Sequence, residues 1–279
     1  MASLVLNYGR AELSARAVES LARSDLPRQR VLLIDNGSPD ARAAREAAGR
    51  WGAEFLPLER NYGFGEGMNR GAAEAILRFS PDLLFLLNND ARVEPGALTR
   101  LVESAQAERA DLAGPKVLLE EEGGAGVAAG SPPRLWAAGG ALARWRLLAQ
   151  NRGEGEEDRG QHDAPGEVPF LSACALLVRR SAWEALGGFE RRFFLYQEDA
   201  DLCLRAAARG FRLLYEPRAR AHHLGSATGG GEYGPLQSFY RWRNRLLLFA
   251  RHSRGLHRAF LFGLFFPALA ARDLARYAR

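Results

Sequence analysis

Three acids, Glu198, Asp199 and Asp201, stand directly behind the aromatic run Phe193-Phe194-Leu195-Tyr196 and ahead of the apolar-patterned stretch Leu202–Ala208. The pattern predicts a greasy surface segment turning into a helix, with carboxylates at the turn. Acids there complement the positive end of the helix. A carboxylate beside aromatic groups is also a candidate general base, because partial desolvation raises its pKa. Capping alone would account for the acids, so their meaning depends on what the rest of the chain brings beside them.

Other polar groups fall where strands end. Asn7 and Tyr8 follow the first apolar run, Asp35 and Asn36 the second, Asn61 the third, and Asn88-Asn89-Asp90 the fourth. Each alone is ordinary turn chemistry. Ligands of parallel α/β sheets bind beyond the carboxyl ends of the strands, so parallel strands would bring these groups to one crevice. Asp90 follows the very apolar Leu83–Leu87 and would be held rigidly at the rim. A hard divalent cation is commonly held by one or two carboxylates plus substrate phosphates, and Asp90 fits that need; the alternative is a cap for the helix near Pro95. The junction Asn61-Tyr62-Gly63-Phe64-Gly65-Glu66-Gly67-Met68-Asn69 is glycine-rich, which lets backbone approach a ligand at a helix N-terminus. Met68 occupies the third glycine's place of the dinucleotide fingerprint, which excludes it. His223 lies 24 positions after Asp199 and could complete a metal site, imidazole favouring manganese over magnesium. His222 would face the opposite way in a strand, so only one of the two can serve.

The elements that must position these residues alternate. Strands are expected at Leu4–Tyr8, Arg30–Asp35, Glu54–Leu58, Asp82–Leu87 and Leu112–Leu118, with helices at Ala11–Leu26, Pro39–Trp51, Gly67–Phe79 and Pro95–Arg109 between them. Such order implies an α/β fold whose mostly parallel sheet carries helices on both faces. Residues 120–168 break the rhythm. They read as a flexible excursion with one hairpin near Trp136–Leu148 and a poorly ordered polar part, Gly153–Gly166. Strands at Phe170–Arg179 and Phe211–Tyr215 and a short helix at Ala182–Leu186 rebuild the domain. Residues 1–237 therefore read as one domain, with a first half 1–119, the excursion 120–168 and a second half 169–237, and 238–279 as a basic amphipathic helical tail.

The chain has 279 residues and a net charge of +5, carried almost wholly by arginine; Lys116 is the only lysine. Nine arginines and one acid, Asp273, lie between Arg241 and Arg279. A basic tail with leucine and aromatic faces suits an anionic membrane surface, or else packs on the domain. Its second apolar run is too short to span a bilayer. Nucleic-acid binding would need basic and aromatic residues over the folded face and is not expected. Cys174 and Cys203 form no disulfide or zinc pattern, and the first residues enter a strand without a signal-like region. A cytoplasmic protein is expected, peripheral at the inner face of the cell membrane.

Together these segments resemble the inverting family 2 glycosyltransferases of GT-A fold, in particular the rhamnosyltransferase-like branch, over residues 3–250. The resemblance rests on Leu4-Val5-Leu6-Asn7-Tyr8, Ile34-Asp35-Asn36-Gly37-Ser38, Asn61-Tyr62-Gly63-Phe64-Gly65 with Asn69-Arg70-Gly71, Leu86-Leu87-Asn88-Asn89-Asp90, the 187–205 block, and Tyr215-x-Pro217-x-Ala219 with His223-x-Gly225. It implies a UDP- or dTDP-sugar donor, dTDP-rhamnose by branch, and a glycan or lipid-linked acceptor. By the same resemblance Asp35 contacts the nucleoside, and Asn7, Tyr8, Asn36, Asn61, Gly63, Gly65, Asn69 and Asn89 line the donor site. Asp90 and His223 hold Mn²⁺ or Mg²⁺, and Asp199 is the general base with Glu198 beside it. The chain departs from the family at Asn88, which replaces the first Asp of the metal motif, and at Gly9, Glu66 and Ser172-Ala173.

Two other readings compete. A nucleotidylyltransferase would need a Gly-x-Gly-x-Arg loop where Asn7-Tyr8-Gly9-Arg10 stands. A non-catalytic scaffold with a degenerate glycosyltransferase fold would bind nucleotide or membrane without turnover.

Overall fold

The computed structural model describes residues 1–120, 132–224 and 234–277, apart from side chains beyond Arg272. Gly225 and Ser226, and the 121–131 part of the expected excursion, lie outside the described residues. Strands β1 (Ala2–Asn7), β2 (Arg30–Asp35), β3 (Glu54–Pro57) and β4 (Leu83–Asn88) alternate with helices α1 (Ala11–Ala22), α2 (Arg42–Arg50) and α3 (Phe64–Phe79). Next come β5 (Ala91–Val93), α4 (Ala97–Ala107), β6 (Leu112–Leu119), β7 (Leu135–Ala138) and the hairpin β8 (Gly140–Ala143) with β9 (Leu148–Asn151). Then follow β10 (Gly166–Glu167), β11 (Ala175–Arg179), α5 (Arg180–Leu186), α6 (Glu198–Ala208) and β12 (Leu213–His223). The chain continues into α7 (Pro235–His252), α8 (Gly255–Phe260), a π-helical stretch Leu261–Phe265 and α9 (Phe266–Tyr277). None of the described helices is long and apolar enough to cross a membrane.

The main sheet runs β10-β12-β6-β11-β4-β1-β2-β3. Its strands β1, β2, β3, β4, β6 and β12 point the same way, and β11 is inserted antiparallel between β4 and β6. Alternation along each strand divides the core. Leu4, Leu6, Leu32, Ile34, Leu84 and Leu86 face α3, α5 and α6, while Val5, Leu33, Phe85 and Leu87 face α1 and α4. Helix α3 lies so close to the sheet that a Cβ on Gly71 would stand 2.0 Å from Ile34 Cδ1.

Three expectations change. The last strand was expected over Phe211–Tyr215, and Pro217 beyond it cannot donate to a ladder. Instead the pairing breaks only between Glu216 and Arg220 and resumes, so His223 ends an eleven-residue strand. The polar run 153–166 is fastened down. The fully buried Lys116 ammonium pairs with Asp158 at 2.8 Å and with Asp163, and Tyr215 donates its hydroxyl hydrogen to the His162 carbonyl at 3.0 Å. The aromatic run before α6 is not a surface segment, since Phe193 is fully buried.

Candidate active site

Because six strands share a direction, their carboxyl ends form one edge. Asn7 lies in register with Asp35, Leu6 with Asn88, and Leu119 with His223. The antiparallel β11 begins at this same edge, where the Asn88 amide donates to the Cys174 carbonyl at 2.8 Å.

On the β1–β2 side the polar residues knit a rigid turn. Asp35 is buried, and its carboxylate accepts from Asn7 Nδ2 at 2.7 Å, Ser38 Oγ at 2.7 Å and the Ser38 amide at 3.0 Å. A carboxylate has about four acceptor positions, so the aim of Asp35 is fixed while room for a further donor remains. Ser14 donates to Asn7 Oδ1 at 2.7 Å and accepts from Asn89 at 3.3 Å, tying β1 to the β4 end. Tyr8 stands 51% exposed at the rim.

The glycine-rich junction works differently from expectation. The Asn36 amide donates to Asn61 Oδ1 at 3.0 Å and the Gly63 carbonyl at 3.1 Å, and Asn36 Oδ1 accepts from the Tyr62 amide. Asn69 donates to the Phe189 carbonyl at 2.8 Å and accepts from the Phe189 amide at 2.8 Å. Asn36 and Asn69 thus spend both ends of their amides on the chain itself, and Asn61 its oxygen, so these side chains hold loops. The glycines likewise serve packing. Gly63 has φ +79°, and a Cβ there would lie 2.2 Å from the Phe194 carbonyl oxygen; at Gly65 it would lie 3.1 Å from Phe189 Cβ. Close backbone approach at this junction is to the 189–194 segment, not to a ligand.

At the other end of the edge, His223 Nε2 lies 3.2 Å from Asp90 Oδ1, both side chains buried. Burial works to raise the Asp90 carboxyl pKa, yet His223 beside it and nearby Arg10 bring it below the usual value. Burial opposes charge on His223, yet Cys174 and Asp90 push its pKa up to about 10. His222 turns the other way, to Glu94 at 3.2 Å, and burial lowers its pKa. His223 Nδ1 and Asn88 Oδ1 are buried without a hydrogen-bond partner, and Asp90 Oδ1, though 3.2 Å from His223 Nε2, makes no well-aligned hydrogen bond. Native proteins rarely leave such groups unsatisfied without a functional reason. A carboxylate, an imidazole and an amide oxygen orphaned together fit a divalent cation completed by a substrate phosphate. Among the described residues, three protein His, Cys or acidic ligands do not gather around one point.

Asp199 opens α6. Its carboxylate accepts from the Ala200 amide at 2.8 Å and the Ala173 amide at 3.4 Å. Burial raises its pKa, and these amides with Ser172 pull it back partway. Glu198 is buried, and its Oε2 has no hydrogen-bond partner. Burial first, then the Asp199 charge, raises its pKa to about 8. Both carboxyls are thus raised by burial, and the pair resists carrying two negative charges at once.

Cys174 locates the two halves relative to each other. Burial pushes its thiol up; the Ala173 amide before it donates to Asp199 at 3.4 Å, and its own carbonyl accepts from the Asn88 amide at 2.8 Å. Sequence reasoning overlooked Cys174, Ser14 and Ser38, and Trp136, whose ring centroid is 4.5 Å from that of His223. Trp136 lay in the segment assigned to an excursion, and small polar residues at strand ends give no distinctive signal.

A mostly parallel sheet with this polar edge, and with helices on both faces, is a GT-A glycosyltransferase fold. Solved structures agree: the mannosyltransferase PcManGT from Pyrobaculum calidifontis, in complex with GDP-Man and Mn²⁺, has TM-score 0.63 at 16% identity, covering 99% of this chain and 74% of that one. GalNAc-T7 with UDP, GalNAc and Mn²⁺ has TM-score 0.62 at 17% identity, covering 80% and 43%. Residues 1–241 match the profile "Glycosyltransferase like family 2", and the chain belongs to that family. The N-acetylglucosaminyl-diphospho-decaprenol L-rhamnosyltransferase of Mycobacterium tuberculosis is 31% identical over 234 residues, 80% of this chain and 75% of the relative. The protein is a glycosyltransferase of rhamnosyltransferase-like type.

Proposed function

We propose that the protein transfers a deoxyhexose, with inversion, from a dTDP- or UDP-sugar to a hydroxyl of a lipid-linked glycan; the rhamnosyl transfer named for a relative supports rhamnose as the sugar, with dTDP-rhamnose the donor we favour. The observation that carries this reading is the shared strand edge, where Asp90 meets His223 at 3.2 Å and the Ala173 amide reaches Asp199 at 3.4 Å, one residue before the Cys174 carbonyl that accepts from the Asn88 amide at 2.8 Å. Asp90 and His223, with Asn88, would hold Mn²⁺ or Mg²⁺. The bound cation supplies charge stabilisation for the departing diphosphate. The Asp35 turn, with Asn7 and Asn89 bracing it, orients the nucleoside, and Tyr8 offers an exposed ring to it.

Asp199 takes the proton from the acceptor hydroxyl at its carboxylate as that oxygen attacks the anomeric carbon. Its raised pKa makes it a stronger base than a solvated aspartate. Glu198, protonated, keeps a second negative charge out of the pocket. One base opposite the leaving group yields inversion without an enzyme nucleophile.

The acceptor's lipid is met by an apolar face that joins two elements. Trp145, at the tip of the β8–β9 hairpin, stacks on His257 at 4.6 Å and on Phe260 at 5.6 Å. Trp145, Leu256 and Leu264 are 59%, 88% and 69% exposed. Arg144, Arg146, Arg254 and Arg258 flank them, a composition that suits an anionic lipid surface. Incubation with a panel of UDP- and dTDP-sugars plus Mn²⁺, with and without a prenyl-diphosphate-linked N-acetylhexosamine, tests the reading. Acceptor-dependent release of dTDP is expected; no nucleotide release from any donor would overturn it.

A further inference from the structure

The two residues before α6, Tyr196 and Gln197, have φ of 69° and 72°. Consecutive non-glycine residues in the left-handed region are strained, and such strain persists only where surrounding structure holds it. Here the holding group lies far off in sequence. Asn244, on α7, is fully buried, and its Nδ2 donates to the Leu195 carbonyl at 2.7 Å and the Tyr196 carbonyl at 3.0 Å. Its Oδ1 accepts from Arg243 at 2.8 Å, so the amide cannot flip without losing all three bonds. Tyr240, one turn earlier, stacks on Phe194 at 4.9 Å, and the Phe194 carbonyl accepts from the Phe64 amide at 2.8 Å. Two turns further on, Arg251 and His252 reach the buried Asp201 at 2.8 and 2.7 Å. The strained turn is therefore gripped on one side by α7 and on the other by the junction that opens α3.

We infer that Asn244 is a positioning residue for the transfer reaction: by holding the Leu195 and Tyr196 carbonyls it sets the left-handed turn that aims Asp199. The inference rests on the reading of Asp199 as the base. The amide does not touch donor or acceptor; it fixes where α6 begins. Loss of the clamp lets the turn relax and moves the carboxylate, and a displacement of about 1 Å can cost on the order of 100-fold in rate. The donor side, held by β1, β2 and β4, is unaffected.

The test compares Asn244→Ala, Asp199→Asn and the parent protein in steady-state transfer from dTDP-rhamnose, with dTDP–Mn²⁺ affinity measured by calorimetry. Asn244→Ala should lower kcat about 10- to 100-fold while donor KM and dTDP affinity stay within about twofold of the parent, a split that general loosening would not give. Unchanged kcat, or a parallel loss of dTDP affinity, overturns the inference. If Asn244→Ala does not fold, Tyr240→Leu carries the same test from the same helix, with a smaller kcat loss expected and unchanged kcat overturning it. Full activity in Asp199→Asn would instead sink the reading of the base, whatever Asn244→Ala does.

Discussion

At the residue scale the chemistry depends on two neighbouring acids that do not behave alike. Asp199 has two backbone donors and Glu198 leaves an oxygen unpartnered, an asymmetry that favours a shared proton on Glu198. Replacing Asp199 by Asn should lower kcat about 10²- to 10⁴-fold, the usual contribution of a general base, while dTDP–Mn²⁺ still binds by calorimetry. Glu198 makes stability depend on pH. Its folded pKa of about 8 exceeds the ordinary 4.5, so the folded state keeps a proton that the unfolded chain releases. Its stabilising effect is full below about 4.5 and is lost as pH rises through about 8. The melting temperature of Glu198→Gln should therefore gain on that of the parent between pH 5 and 8; a constant difference across that range would refute the assignment. The acids at 198 and 199 were legible in the sequence because they follow an aromatic run. Their division of labour was not, since it arises from which backbone amides the fold brings to each.

At the element scale, strand direction does the positioning. The βαβα alternation of the first 120 residues was readable, and with it the convergence of Asn7, Asp35 and Asp90. The continuation of β12 past Pro217 was hidden because a proline signals a strand end, while the structure accommodates it in a pairing break. The glycine-rich junction was visible as a motif but not in its purpose, since only coordinates reveal that Phe194 packs where a Cβ would be. Gly63→Ala should cost about 1–3 kcal/mol from the backbone conformation alone, more with the clash, readable as a lower denaturation midpoint. The Lys116 bolt was equally invisible, because sequence does not reveal that the sole lysine lies beneath Asp158. Lys116→Met would leave that carboxylate buried without its partner, at a cost of about 3–5 kcal/mol, and urea unfolding measures it.

At the scale of the whole molecule, the division expected at residue 237 does not describe the contacts. Helix α7 clamps the turn ahead of α6, whereas α8 and the π-helical stretch after it carry the exposed Leu256 and Leu264, and α8 meets the hairpin tip. The tail's composition suggested one amphipathic unit, but Asn244 lies on the same stripe as Tyr240 and Leu248, a polar residue among apolar ones, and that was the overlooked signal. Trp145→Ser with Leu256→Ser should abolish flotation with vesicles rich in phosphatidylglycerol and leave transfer to a water-soluble acceptor intact. Retained flotation would move the lipid-facing surface elsewhere. The central claim is that Asp90, His223 and Asp199 serve one donor diphosphate. A crystal structure with Mn²⁺ and dTDP, read by manganese anomalous scattering, tests it most directly. The account predicts a single manganese peak ligated by Asp90, His223 and the diphosphate in the cleft that Asp199 faces; nucleotide and metal bound away from this edge would contradict it.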